Sequence, residues 1–505
     1  VKDKLVEMDY KYKFWGVMFV SAVVRLLKIG SRPIWYDEAI AILRANTGLG
    51  GIVQTLGINI TGSPSDVHPP GYFLILYGWM KLFGDSILVG RLLSVLIGLL
   101  TIWVIYKLGK ILLDQDTALV AGFFVGLSPF HVHYSQEIRM YPLMAFSLIL
   151  ATYSLFQGIK KERWFWWIIF AIASAVAQYL QQLSAVYLIC LVLIVVFMKD
   201  FQNLVKIFIA GLGAILLYIP WIVHLQEQFA SLDVYWVQKP HITRILTLLL
   251  AYVAGLPLQG IWLWIGFGLS LFLVIFAIIG SVRILRDPEC KKMGMWFAYL
   301  AFAPPVLLWL ISQYRPVYIE RALLPSAVMF AVWVACLVAH RKTPKFERYL
   351  LAALFVLGSA IGISTHLTYE GFSYARFEEI GNSIENKRFE NEVIVHSNKL
   401  SFVPMFYFFG NDIPQQFIGD VEGSATDTLH PVTQEVLGFQ ETDLESAAEG
   451  VEGVWFIIFQ RAINEAEEMG FETHPHLAWL EGHFELTGEE LWGDLWVLHY
   501  QKTNQ

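Results

Sequence analysis

Long apolar blocks separated by short polar ones fill the chain as far as residue 368, after which the pattern changes to brief apolar runs among many acidic residues. A membrane-crossing helix needs roughly 20 apolar residues, and the loops richer in Lys and Arg face the cytoplasm. These two conditions predict about eleven crossings, at 14–31, 86–106, 117–133, 141–158, 164–180, 183–198, 207–223, 261–282, 293–312, 319–339 and 349–368. The stretch 71–83 is too short to cross and suits a helix lying at the interface. Crossing at 242–258 would carry Arg283, Arg286, Lys291 and Lys292 to the wrong side, so it reads as re-entrant or interfacial. Counting both as crossings would give thirteen. The first run, Phe14 to Ile29, lacks a small-residue cleavage site and reads as an uncleaved span.

The expectation is a polytopic α-helical protein of the plasma (inner) membrane with its N-terminus in the cytoplasm. Residues 32–85 form an external loop with a helix-like stretch at 38–56, and the membrane part runs to residue 369. The remainder, 370–505, alternates short β-rich runs (Val393–His396, Val454–Phe459, Leu495–Tyr500) with helical stretches (Phe372–Lys387, Arg461–Met469). That pattern predicts a small α/β domain on the side opposite the N-terminus.

Composition agrees with the pattern: 56% of the 505 residues are hydrophobic and only 16% charged, too few charges for an ordinary soluble surface. The formal net charge of −7 hides an asymmetry, with −19 on residues 370–505 and +12 on the rest. Cys190, Cys290 and Cys336 lie in or beside apolar segments without metal-ligand or disulfide-framework spacing, so they read as buried thiols. Nothing points to nucleic acid.

With the loops placed, four polar clusters fall on the outer face: Trp35-Tyr36-Asp37-Glu38, Asp66-Val67-His68-Pro69-Pro70, Gln136-Glu137-Ile138-Arg139-Met140-Tyr141, and Gln313 to Arg321 with Tyr314 and Arg315. Ionisable groups at that depth are costly and face protein or a wet cavity. Each also has a plain reading: Asp37 and Glu38 as helix-start acids, His68 as a turn residue, the arginines as snorkelling side chains. Together they offer more. An arginine fork holds a phosphate with two hydrogen bonds, and a nearby carboxylate can take a proton from an incoming hydroxyl or amine.

The ordered set Tyr36-Asp37-Glu38, His68-Pro69-Pro70, Arg91, Gln136 to Pro142, then Arg315-Pro316, Arg321 and Pro325, resembles the GT-C glycosyltransferases. It is most similar to the branch of the protein O-mannosyltransferases and the bacterial aminoarabinose transferase. The resemblance implies inverting transfer of a sugar from a polyprenyl-phosphate donor to an acceptor (protein, lipid or glycan) on the outer side. It implies Asp37 as catalytic base with Glu38 as its helper, and His68, Arg139, Arg315 and Arg321 around the donor phosphate. Glu137, Tyr141 and Tyr314 are then expected to contact substrate. Asp37, Glu38 and Glu137 offer oxygen ligands to a divalent metal, but a donor with a single phosphate leaves little charge to neutralise, so no cofactor is expected. Two rivals compete: a multi-spanning transporter or flippase of a lipid-linked or anionic substrate, and a scaffold whose acidic tail binds partners. Against transport stand the absence of a fixed-period repeat and the clustering of polar residues at one interface. A scaffold would leave the Asp37, His68 and Arg139 set unexplained.

Overall fold

The computed structural model describes residues 2–55, 69–225, 237–285, 293–421, 424 and 429–502. The chain opens with α1 (Lys2–Leu26), α2 (Tyr36–Asn46), α3 (Gly48–Thr55), α4 (Gly71–Phe83) and α5 (Ile87–Leu112). Then follow α6 (Gln115–Leu127), α7 (Pro129–Ser135), α8 (Tyr141–Lys161), α9 (Trp164–Leu180), α10 (Ser184–Phe197) and α11 (Phe201–Ile222). The membrane part closes with α12 (Thr243–Ala254), α13 (Ile261–Ile284), α14 (Met293–Tyr314), α15 (Leu324–Ala339) and α16 (Lys345–Thr368). Among the described residues, seven helices are long and apolar enough to cross a bilayer: α5, α8, α11, α13, α14, α15 with its 3-10 lead-in, and α16. The other four expected crossings fall on α1, α6, α9 and α10, and α6, α9 and α10 have only 13, 17 and 14 residues. The expected span 117–133 breaks at Ser128, where Pro129 starts α7. The expected stretch 38–56 likewise divides at Thr47 into α2 and α3.

A helix that ends inside a bundle leaves carbonyl groups without partners. At the end of α6 that need is met by Arg25, fully buried, whose guanidinium donates to Gly126 O at 2.8 Å and to Ser21 O at 3.0 Å and meets His131 Nδ1 at 2.7 Å. The break at Ser128 is thereby built into the core and turns α7 toward the end of the bundle that holds Asp37. On α16, Gly358 and Gly362 let the backbone of α12 approach closely, since an added Cβ at either would strike the carbonyl oxygen of Val253 or Ala254. Small residues four apart serve such contacts between membrane helices.

The C-terminal part is a six-stranded mixed sheet in the order β3-β2-β1-β4-β6-β5, comprising β1 (Glu392–His396), β2 (Gln415–Ile418), β3 (Glu441–Thr442), β4 (Gly453–Phe459), β5 (Glu485–Trp492) and β6 (Leu495–Gln501). β1 lies parallel to both β2 and β4, and β6 runs antiparallel to β4. Every residue of β1 and β4 is buried, as expected for central strands covered on both faces. Val393, Val395, Phe456 and Ile458 pack on one face with Leu477 and Leu480 of the helix Pro475–His483; Ile394 and Ile457 pack on the other with Ile380 and Ile384 of α17 (Phe377–Glu385). A further helix, α18 (Lys399–Phe409), leaves β1 and docks against α2, and its Phe402 and Phe406 share one apolar core with the membrane helices. The tail is thus fastened to the segment between α1 and α5.

Replacing Gly362 by Val should force α12 and α16 apart and cost about 1–3 kcal/mol of overpacking strain, seen as a lower melting temperature in detergent; an unchanged melt would show that the two helices do not need this approach.

Candidate active site

α2 begins at Tyr36, and the Glu38 and Ala39 amides bond back to Trp35 O at 3.1 and 3.0 Å. Asp37 and Glu38 therefore occupy the first helical turn, where the positive end of the helix dipole favours carboxylates. Adjacent helical positions point about 100° apart, and these two acids go to different partners.

Glu38 is fully buried. Arg91, at the start of α5 and 1% exposed, donates from Nε to Oε1 at 2.9 Å and from Nη2 to Oε2 at 2.7 Å, while the Ile138 amide donates to Oε1 at 3.0 Å. Arg91 spends its remaining donors on the carbonyls of Ile29, Arg32 and Pro33. Both oxygens of Glu38, the expected helper of a catalytic base, are therefore engaged within the protein. It ties α2, α5 and the 136–140 turn into one unit.

Asp37 faces the other way. Its Oδ2 receives Arg321 Nη1 at 2.7 Å and lies 3.4 Å from Arg139 Nε. Arg321 arrives on a 3-10 turn, Glu320–Leu323, which leads into α15. Tyr141, fully buried, holds its ring 5.9 Å from the Arg139 guanidinium and 5.2 Å from that of Arg321. Asp37, Arg139 and Arg321 remain partly open, with side chains 13%, 5% and 19% exposed. One carboxylate between two guanidiniums leaves a net charge of +1, the complement of one bound monoanion.

Glu137, expected to contact substrate, is held by partners within the protein. The Tyr374 hydroxyl donates to its Oε1 at 2.6 Å, and His133 Nε2 lies 3.0 Å from the same oxygen. Burial alone would raise this carboxyl; His133, Tyr374 and Arg32 outweigh that and hold it at about 2. Around it, Arg32 reaches His366 at 3.0 Å, His366 reaches Gln136 at 2.8 Å, and the Arg32 guanidinium lies 4.9 Å from the centre of the Tyr374 ring. The network joins the last membrane helix and the following linker to the Asp37 face.

Tyr314, Arg315 and His68 complete the expected set. Tyr314 is 92% exposed at the end of α14, and Arg315 beside it is exposed as well, whereas Arg321 is only partly exposed. Between Arg315 and the 3-10 turn the chain becomes buried at Tyr318 and Ile319. His68 lies outside the described residues. Among the described residues no group of three or more His, Cys, Asp or Glu is placed to hold a metal ion. Sequence reasoning missed Arg32, His133, Tyr374 and His366 as site supports; their signal was a polar side chain inside or beside an apolar run.

Residues 67–224 match the family described as dolichyl-phosphate-mannose-protein mannosyltransferase. In fold, the chain is similar to ArnT from Cupriavidus metallidurans in the apo state, with TM-score 0.61, 12% identity, and 98% of each chain covered. The same protein bound to undecaprenyl phosphate gives TM-score 0.60 and 12% identity, covering 96% of this chain and 97% of that one. The Archaeoglobus fulgidus oligosaccharyltransferase gives TM-score 0.50 at 13% identity over 95% of this chain and 73% of its own. No curated protein matches the sequence significantly.

Arg91→Met leaves a buried carboxylate without its partner and should cost about 3–5 kcal/mol, read as loss of monodisperse protein or a sharply lower melting temperature. A pH signature follows for Glu137. Because folding holds its carboxyl below the ordinary value of about 4.5, its stabilising contribution is complete above that pH and declines as pH falls toward 2. The melting-temperature gap between the unaltered protein and Glu137→Gln should therefore shrink from pH 6 to pH 3; a constant gap would contradict an ionised Glu137.

Proposed function

We propose that this chain, which has the fold of the ArnT structures, is a membrane glycosyltransferase that transfers a sugar from a polyprenyl-phosphate donor to an acceptor at the face where Asp37 lies. The observation that carries the reading is the charge of the Asp37, Arg139 and Arg321 cluster, a net of +1. A polyprenyl-phosphate sugar is a phosphodiester with one negative charge, so donor and site neutralise each other. The undecaprenyl phosphate in the ArnT complex supports a ligand of that class.

The chemistry keeps the balance. The acceptor hydroxyl or amine attacks the anomeric carbon, the bond from that carbon to the phosphate oxygen breaks, and polyprenyl phosphate leaves with a second negative charge. Asp37 takes the acceptor's proton and becomes neutral, leaving two guanidiniums to face the more highly charged phosphate. Arg139 and Arg321 thus favour the product-like transition state over the ground state, where Asp37 competes for them. Glu38 and Glu137 are held by Arg91, His133 and Tyr374, so Asp37 is the carboxylate we assign to the reaction. A single carboxylate acting as base fits one displacement with inversion, and a phosphate leaving group needs no acid.

We place the Asp37 face outside the cytoplasm, because Lys107, Lys110, Lys160, Lys161, Arg341 and Lys342 gather at the opposite helix ends. In the same reading residues 1–369 form the catalytic membrane domain and 370–505 its extracytosolic cover in the plasma membrane.

In proteoliposomes supplied with an undecaprenyl-phosphate-linked sugar, Asp37→Asn should lower transfer by about 10²–10⁴-fold, the usual range for a lost base, while still binding undecaprenyl phosphate. Arg321→Ala should weaken donor binding as well as turnover. Transfer retained by Asp37→Asn removes Asp37 as the base.

A further inference from the structure

Beyond the last membrane helix, the linker to α17 sends one side chain back toward the site. Tyr374 is 7% exposed, and its hydroxyl donates to Glu137 Oε1 at 2.6 Å. Its ring lies 5.9 Å from the ring of Trp35, which precedes α2, and the Arg32 guanidinium sits 4.9 Å from its centre. A residue from the side of the tail therefore meets both chain segments that present the site, the one leading to Asp37 and the one carrying Arg139.

The second of these segments is the short connection between Ser135, where α7 ends, and Tyr141, where α8 begins. Its backbone is fastened from within: Glu137 O accepts the Ser94 hydroxyl at 2.5 Å and the Arg139 amide at 2.9 Å, and the Ile138 amide donates to Glu38 Oε1 at 3.0 Å. The Glu137 carboxylate is served less fully. It is 1% exposed, Tyr374 and His133 both meet it at Oε1, and Oε2 receives no hydrogen bond. Burial makes each donor to an ionised group count, because the water that would replace it is excluded. Without the Tyr374 hydroxyl the carboxylate keeps His133 and must turn toward another donor or take a proton. The backbone bond from Arg139 N to Glu137 O passes such a shift to Arg139, whose Nε lies 3.4 Å from Asp37 Oδ2.

We propose that the Tyr374 hydroxyl is a positioning group for Arg139, so that the linker to the tail sets the affinity of the site for a lipid phosphate without touching it. The one proton of the hydroxyl is spent on Glu137, and Glu137 acts through the turn it belongs to. This role rests on Arg139 as a phosphate ligand, as in the function proposed above. It gives the tail a part in the reaction beyond covering the membrane domain.

The test is the affinity for undecaprenyl phosphate in detergent, measured well below the melting temperature of each variant, where a role confined to stability leaves binding unchanged. Tyr374→Phe keeps the ring against Trp35 and Arg32 and should weaken binding about tenfold, whereas in an Arg139→Ala background the same change should cost less than about twofold, the non-additivity of residues that act as one unit. Tyr369→Phe removes another hydroxyl of the linker, one that donates to Phe372 O, and should leave binding unchanged. Glu137→Gln should weaken binding severalfold and carries the test where Tyr374→Phe does not fold; full affinity in either variant overturns the proposal. So does an equal loss with Arg139 absent, or an equal loss in Tyr369→Phe. Arg139→Ala that binds as tightly as the unaltered protein overturns the phosphate site itself, a result distinct from the others, and the role of Tyr374 with it.

Discussion

The buried pair of Glu38 and Arg91 is the constraint on which the rest of the site depends. Two ions removed from water are tolerable only when their geometry is good and their other polar atoms are satisfied. Here the guanidinium meets both carboxylate oxygens and three backbone carbonyls, and the Ile138 amide completes the carboxylate. The result fixes the first turn of α2 against α5 and the 136–140 turn. Asp37, one residue earlier, then has a defined direction, and Arg139, one residue after Ile138, is brought to it. The pair itself has no reactive atom to spare. Its product is the position of its neighbours.

The tail extends this arrangement outward. α18 leaves the carboxyl end of β1 and packs on α2, with Lys399 Nζ 5.7 Å from the centre of the Tyr36 ring, next to Asp37. A second tie runs from Tyr374 through Glu137 and His133 to α7. A domain of strongly negative charge therefore touches the membrane part through apolar rings, one buried lysine and a hydrogen-bonded hydroxyl. Its acidic side chains are left mainly to solvent.

Much of the fold was legible because lipid imposes a simple rule: long apolar runs such as 261–284 and 345–368 have few alternatives to a helix. What the pattern could not show was where a run breaks inside, as at Ser128, because the compensating donor, Arg25, lies about a hundred residues away in sequence. In the tail, β1, β4 and β6 were visible as β-rich apolar runs. β5 was not, since its edge position leaves Glu485, Glu489 and Glu490 in a strand with little apolar signal. α18 escaped notice because its apolar face meets a partner from another domain. At the site, the residue types and their common face were readable, and the division of labour was not. Asp37 and Glu38 look alike in sequence, as do Arg315 and Arg321; which of each pair turns inward depends on a helical phase and a 3-10 turn that only the packed chain defines.

In the proposed function, Arg139 and Arg321 exchange Asp37 for a lipid phosphate. A structure of the protein with undecaprenyl phosphate bound tests this most directly. The phosphate is expected at hydrogen-bonding distance from both guanidiniums, with Asp37 released from at least one of them. A phosphate seated elsewhere, with the contacts of Asp37 to Arg139 and Arg321 intact, would contradict it.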